Sequence, residues 1–183
     1  MGADLTPSLE GNMNSAGASI AHPVGTVRRI GAKPRTPHEH GLPKPEVLEA
    51  SFRRSGVEGD YNVYRETERA GDPEMAVLLI PEETLSDLNR DGWPVRPGDL
   101  GENLTTAGIP YEAFQPSTRV RVGEAELQTS KPCTPCTNLY LLPYVGAARG
   151  PAFLKATLGR RGWYARVLEE GIVRRGDPVR LFD

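Results

Sequence analysis

The first regular pattern along the chain begins at Val24, where Val24-Gly25-Thr26-Val27-Arg28-Arg29-Ile30 alternates in the manner of a half-buried strand. Lys33 to Pro45 carries four prolines and reads as a loop. Val47 to Phe52 predicts another short strand, and Gly56-Val57-Glu58-Gly59-Asp60 a turn. The polar stretch Tyr61 to Pro73 has little periodicity and predicts a loop. Met75 to Ile80 is a compact apolar run, expected as a buried strand. The segment Pro81 to Arg90 predicts a short helix, from its proline start, acidic first turn and Leu85/Leu88 spacing. Turns follow at Pro97-Gly98-Asp99 and Gly101-Glu102-Asn103. Leu104 to Thr106, Arg119 to Val122 and Ala125 to Thr129 read as strands, the last two forming a hairpin through Gly123-Glu124. Ala152 to Leu158 predicts a helix ended by Gly159, and Trp163 to Leu168 a strand. Gly171 marks a turn, and Pro178 to Phe182 predicts the closing strand. Many short strands with two short helices give a mainly β chain, closed or nearly closed into a barrel.

Composition narrows the setting. A chain of 183 residues suits one domain, with room for a tail. Residues 1–22 are rich in Gly, Ser, Asn and Ala and lack the basic and apolar regions of a signal peptide, so they read as a flexible tail ahead of one domain at 23–183. No apolar run approaches the roughly 20 residues of a membrane span. Lys and Arg number 22 against 24 Asp and Glu, a formal charge of −2 that gives no support for nucleic-acid or anionic-membrane binding. A cytoplasmic protein of bacterial type is the expectation.

Histidine chemistry is constrained. His22, His38 and His40 all precede or occupy the first proline-rich loop, so a nucleophile–histidine pair would need one of them to fold back over the domain. The two cysteines, Cys133 and Cys136, supply half of a tetrahedral zinc set, and no second ligand pair of standard spacing accompanies them. Both lie in Ser130-Lys131-Pro132-Cys133-Thr134-Pro135-Cys136-Thr137-Asn138-Leu139, each following a proline and flanked by threonine. Such a backbone is stiff and extended rather than helical, and its neighbours are not those of a core cysteine. The expectation is a rigid loop presenting thiol to solvent or to a cleft, with Lys131 favouring the thiolate. A thiolate is both a nucleophile and a soft-metal ligand. A thioredoxin-like dithiol should follow a strand and open a helix; Pro143, Gly146 and Gly150 argue against a long helix directly after Cys136. Two thiols that merely coexist in a loop are the plain alternative.

Three segments, in order, resemble the MOSC domain, named for the C-terminal region of molybdenum cofactor sulfurase. Pro97-Gly98-Asp99-Leu100-Gly101-Glu102-Asn103-Leu104-Thr105-Thr106 resembles the family's Gly-Glu-Asn-Leu-Thr signature. Pro135-Cys136 with Leu139 is similar to its later Pro-Cys, and Gly162 to Gly171 with Val173 to Val179 to its C-terminal hairpin. The resemblance runs over roughly residues 24 to 182. Two features depart from it: Ala70-Gly71-Asp72 stands where standalone bacterial members often carry His-Gly-Gly, and Cys133 where many have a basic residue.

The resemblance implies a MOSC-type β-barrel and two mechanisms for Cys136. In one, Cys136 ligates molybdenum of a pterin-dithiolene cofactor (molybdopterin) that reduces N-hydroxylated small molecules. In the other, it carries a persulfide received from a cysteine desulfurase. A cofactor-binding module without turnover is a third reading. The cofactor-binding candidates are Lys131, Asn103, Thr105, Arg160 and Arg161, the cations facing the pterin phosphate. Each also has a plain reading: Asn103 can satisfy the Gly101 turn, and Arg160 and Arg161 can sit at a helix C-terminus. The implied partners are a small-molecule substrate, with an electron-donor protein or a desulfurase.

Overall fold

A computed structural model describes residues 24–182; the tail assigned to residues 1–22 lies outside them. The strands are β1 Val24–Gly31, β2 Glu46–Val47, β3 Glu49–Arg53, β4 Gly56–Val57, β5 Val77–Pro81, β6 Leu104–Ala107, β7 Arg119–Val122, β8 Ala125–Pro132, β9 Trp163–Glu169, β10 Gly171–Arg174 and β11 Pro178–Phe182. Three helices accompany them: α1 Val63–Glu68, α2 Glu82–Arg90 and α3 Gly146–Thr157.

Seven strands close into a barrel in the order β11-β7-β8-β9-β5-β6-β1, with β1 pairing back onto β11. Closure leaves none of the seven with a bare edge. The β5–β6 pair is parallel; such a pair needs a crossover, and α2 lies within it. The short strand β2 pairs with β1 outside the ring, and β10, β3 and β4 form a separate three-stranded sheet.

Burial explains the strand pattern. Val27, Val120, Leu127, Ala165 and Val179 alternate along their strands and fill the barrel. In β5, Leu79 enters that core while Ile80 points into a second one, with Leu85 and Leu88 of α2 and Phe153 of α3. A strand covered on both faces must be apolar throughout, which is why Met75 to Ile80 reads as an unbroken run. The predicted strands and both predicted helices are present, within a mainly β barrel.

The local differences have physical causes. The predicted loop from Tyr61 to Pro73 contains α1: Asn62 accepts from the Arg65 amide at 3.1 Å, and buried Arg65 donates to the carbonyls of Asp72 and Gly71 at 3.0 and 3.2 Å. These bonds, rather than an apolar stripe, hold that turn. The strand predicted over Val47 to Phe52 divides at Leu48, because β2 pairs with β1 and β3 with β10. The helix predicted from Ala152 begins at Gly146 and accommodates Pro151 within it. Gly171, predicted as a turn, opens β10.

Candidate functional site

The cysteine loop is fixed at both ends. At its start the Cys133 amide continues the β8–β9 ladder, donating to the Gly162 carbonyl at 2.8 Å. Gly162 has φ +103, and a Cβ there would lie 2.4 Å from Ile80 Cγ1 and 2.5 Å from the Leu79 carbonyl, so only glycine lets β9 pass this close to β5. At its far end a single 3-10 turn, Thr137–Leu141, buries Leu139 in the helix-side core. Between these anchors the two thiols are presented differently. Cys136 is exposed; Cys133 is buried, with 2% of its surface accessible. The expectation of a loop presenting a thiol holds for Cys136, while the reading that neither cysteine has core-like neighbours is corrected for Cys133: as an inward position continuing β8, its neighbours are set by the fold, not by its flanking prolines and threonines. Burial pushes the Cys133 thiol up, and Tyr164 is likewise raised, chiefly by burial.

Cys136 opens on a cleft of about 750 Å3, whose walls include Leu42, Leu78, Leu100, Tyr61, Tyr64 and Tyr164, a size suited to a small molecule or cofactor. Arg161, 93% buried by its 7% exposure, reaches into this wall from the turn before β9. Its Nη1 donates to Cys136 Sγ at 3.2 Å and to the Thr134 carbonyl at 2.8 Å, while its Nε has no partner. Among the described residues no three His, Cys, Asp or Glu side chains are placed to hold a metal ion together. A metal at Cys136 would therefore not find a three-residue protein ligand set of this kind and would need further ligands from elsewhere.

The other predicted residues separate. Lys131 lines the cleft but donates to Asp72 at 3.1 Å rather than serving Cys136; Asp72, in the Ala70-Gly71-Asp72 segment, is its anchor. Arg160, adjacent to Arg161, points elsewhere: it donates to Asp91 at 2.5 Å and to the Ala156 carbonyl at 2.6 Å. Asn103 and Thr105 are buried and structural. Asn103 accepts from the Leu78 amide at 3.2 Å and donates to the Gly31 carbonyl at 3.1 Å and to Asp60 at 2.9 Å. Thr105 donates to Glu102 at 3.4 Å. None of Arg160, Asn103 and Thr105 lines the cleft. Of the five cofactor candidates, Lys131 and Arg161 are thus at the site and three are not.

A family model described as the MOSC domain matches residues 66–180. The chain belongs to the MOSC family. Two relatives are each 31% identical: the uncharacterized protein YflK of Bacillus subtilis (strain 168) over 144 residues, 76% of this chain and 62% of its own, and protein YiiM of Escherichia coli (strain K12) over 132 residues, 69% of this chain and 56% of its own. The chain thus spans about three fifths of the length of the curated relatives it matches. Among solved structures, the YUAD protein of Bacillus subtilis superposes with a TM-score of 0.72 at 17% identity, over 86% of this chain and 95% of that one. YiiM of Geobacillus stearothermophilus gives 0.65 at 26%, over 88% and 76%. The MOSC barrel is therefore the fold, and no helix among the described residues is long and apolar enough to cross a membrane.

Sequence reasoning missed Lys44, Arg69 and the three tyrosines of the cleft. Arg69 donates to Tyr64 Oη at 2.9 Å and lies over the same ring, 5.2 Å from its centroid. For Tyr61, Tyr64 and Arg69 the one local signal is the polar sequence between Glu58 and Asp72, which carries no periodicity; Lys44 and Tyr164 lie outside it.

Proposed function

We propose that this MOSC protein binds a molybdenum–pterin cofactor with Cys136 as the protein's metal ligand, and that it reduces N-hydroxylated small molecules. The observation carrying the proposal is a single exposed thiol on a cleft of cofactor size, with no group of three protein metal ligands around it among the described residues. That donor set suits a metal bringing its own dithiolene sulfurs, since soft thiolate ligation matches molybdenum. The unpartnered Nε of buried Arg161 fits a further acceptor group at the same wall.

In this reading Cys136 holds the metal and Arg161 balances the thiolate charge and fixes the loop through Thr134. Lys131, Arg69 and Arg161 make the cleft attractive to an anionic cofactor. Leu42, Leu78 and Leu100 exclude water from one side of the ligand. When bound, the cofactor supplies two-electron removal of oxygen from an N–OH group, with electrons from a separate donor protein. The balanced conversion takes an N-hydroxylamine, two electrons and two protons to an amine and water.

The exposure of Cys136 equally suits a persulfide carrier served by a cysteine desulfurase, which needs no resident metal. The deciding experiment incubates cofactor-loaded protein with a hydroxylamine and an artificial electron donor, and in parallel treats the protein with a desulfurase and cysteine before intact-mass measurement. Amine formation lost in Cys136→Ser supports the reductase. A 32-Da adduct on Cys136 without amine formation, about the mass of one sulfur atom added to a thiol, supports the carrier and defeats the proposal.

A further inference from the structure

Cys133 and Cys136 have two residues between them, yet the fold gives them opposite surroundings. Cys136 lines the cleft with Thr134 and Pro135, whereas Cys133 lies behind that wall, out of contact with solvent. The segment follows β8 and opens onto the helical turn Thr137–Leu141, which Cys136 caps at its N-terminus. A strand before and a helical turn after are the setting of a Cys-X-X-Cys dithiol.

The two sulfurs share one small environment. Cys133 Sγ lies 3.9 Å from the Thr134 carbonyl oxygen, which accepts from Arg161 Nη1 at 2.8 Å. The same Nη1 donates to Cys136 Sγ at 3.2 Å. One carbonyl and one N–H thus link the buried thiol to the exposed one, and Arg161 stands within electrostatic reach of both. Little else fixes the backbone between them. The Thr134 and Cys136 amides make no backbone hydrogen bond among the described residues, and Pro135 has no N–H to give. A disulfide requires Cα atoms within about 7 Å, and a span tied mainly by one guanidinium adjusts toward that without breaking a strand or helix bond.

We infer that a hydroperoxide entering the cleft oxidises Cys136, and that Cys133 then resolves it as a reversible intramolecular disulfide. In the first step the peroxide O–O bond breaks and an S–O bond forms: the Cys136 thiol becomes a sulfenic acid, losing two electrons, and the peroxide leaves as alcohol or water. In the second, Cys133 sulfur attacks Cys136 sulfur. The S–S bond replaces the S–O bond, and the departing hydroxide takes the Cys133 proton as water. Burial sets the order, because peroxide reaches Cys136 and not Cys133. A second, two-electron exchange with a dithiol reductant restores both thiols. The inference goes beyond the cofactor reading and does not depend on it: the disulfide withdraws Cys136 whether that thiol serves a metal or carries sulfur.

The test uses full-length protein from a host unable to make the pterin, so that no metal occupies Cys136. Folded protein is treated with hydrogen peroxide, alkylated with iodoacetamide in urea, and its intact mass measured without reductant. Wild type is expected as a monomer about 2 Da lighter than the untreated chain, the two thiol hydrogens, with neither cysteine alkylated. Dithiothreitol should return both thiols. Cys133→Ala, lacking the resolving thiol, is expected to gain about 32 Da as a sulfinic acid, at least about tenfold faster than wild type. Folded Cys136→Ser should keep Cys133 unmodified. Wild type that retains two alkylatable thiols, gains oxygen as Cys133→Ala does, or appears as a covalent dimer overturns the inference. Should Cys133→Ala not fold, these wild-type outcomes decide alone.

Discussion

Replacing Asn103 by Ala separates a structural role from a cofactor contact. The side chain accepts one hydrogen bond from the Leu78 amide and donates to the Gly31 carbonyl and to the Asp60 carboxylate, at 3.2, 3.1 and 2.9 Å. It is 3% exposed, so water cannot replace these bonds. Neutral buried bonds contribute about 1 kcal/mol each and one to a charged group about 2, for a loss of about 4 kcal/mol. For a domain of this size that lowers the melting temperature by about 8–16 °C. The measurement is urea and thermal unfolding of protein made without the pterin, so that no cofactor contact contributes. Asn103→Asp adds a control: its carboxylate faces the Gly31 carbonyl and Asp60, and is expected to destabilise at neutral pH and to recover on acidification. A loss below about 1 kcal/mol for Asn103→Ala, within the range of surface substitutions, refutes the structural role and returns Asn103 to the list of ligand contacts.

Three further outcomes are expected. In native protein iodoacetamide should label Cys136, while Cys133 labels only after unfolding; equal native labelling of both thiols contradicts the assigned burial. Because burial raises the Cys133 thiol, the unfolded chain loses that proton first, so its contribution is full below about pH 8.5 and declines as pH rises through the folded value. The difference in urea midpoint between wild type and Cys133→Ala should therefore shrink from pH 7 to pH 10, a comparison that cancels Lys44, whose desolvation-lowered pKa acts in the opposite sense. Gly162→Ala forces a Cβ at φ +103 against the Leu79 carbonyl and is expected to cost about 3 kcal/mol in thermal unfolding; a neutral effect would show that the β5–β9 approach relaxes.

The barrel was legible because its strands bury one face each, so Val27, Val120 and Val179 stand out by alternation, and β5 by its unbroken run. Cys136 was legible as an exposed thiol because two prolines exclude a helix around it. What escaped depends on contacts across the chain. The α1 turn is held by Arg65 reaching Gly71 and Asp72. Cys133 looks exposed by its neighbours but enters the interior as β8 runs on beside Gly162. Arg160 and Arg161 are indistinguishable in sequence, yet one turns to Asp91 and the other to Cys136. Lys44 gives no local signal, since its partner Asp60 lies 16 residues away and Asn103 a further 43.

The most direct test of the central claim is the molybdenum and pterin content of wild type and Cys136→Ser purified from a cofactor-competent host. The account predicts near-stoichiometric molybdenum in wild type and its loss in the folded variant. Well-folded wild type devoid of molybdenum under adequate cofactor supply, or a variant that retains the metal in full, would contradict it.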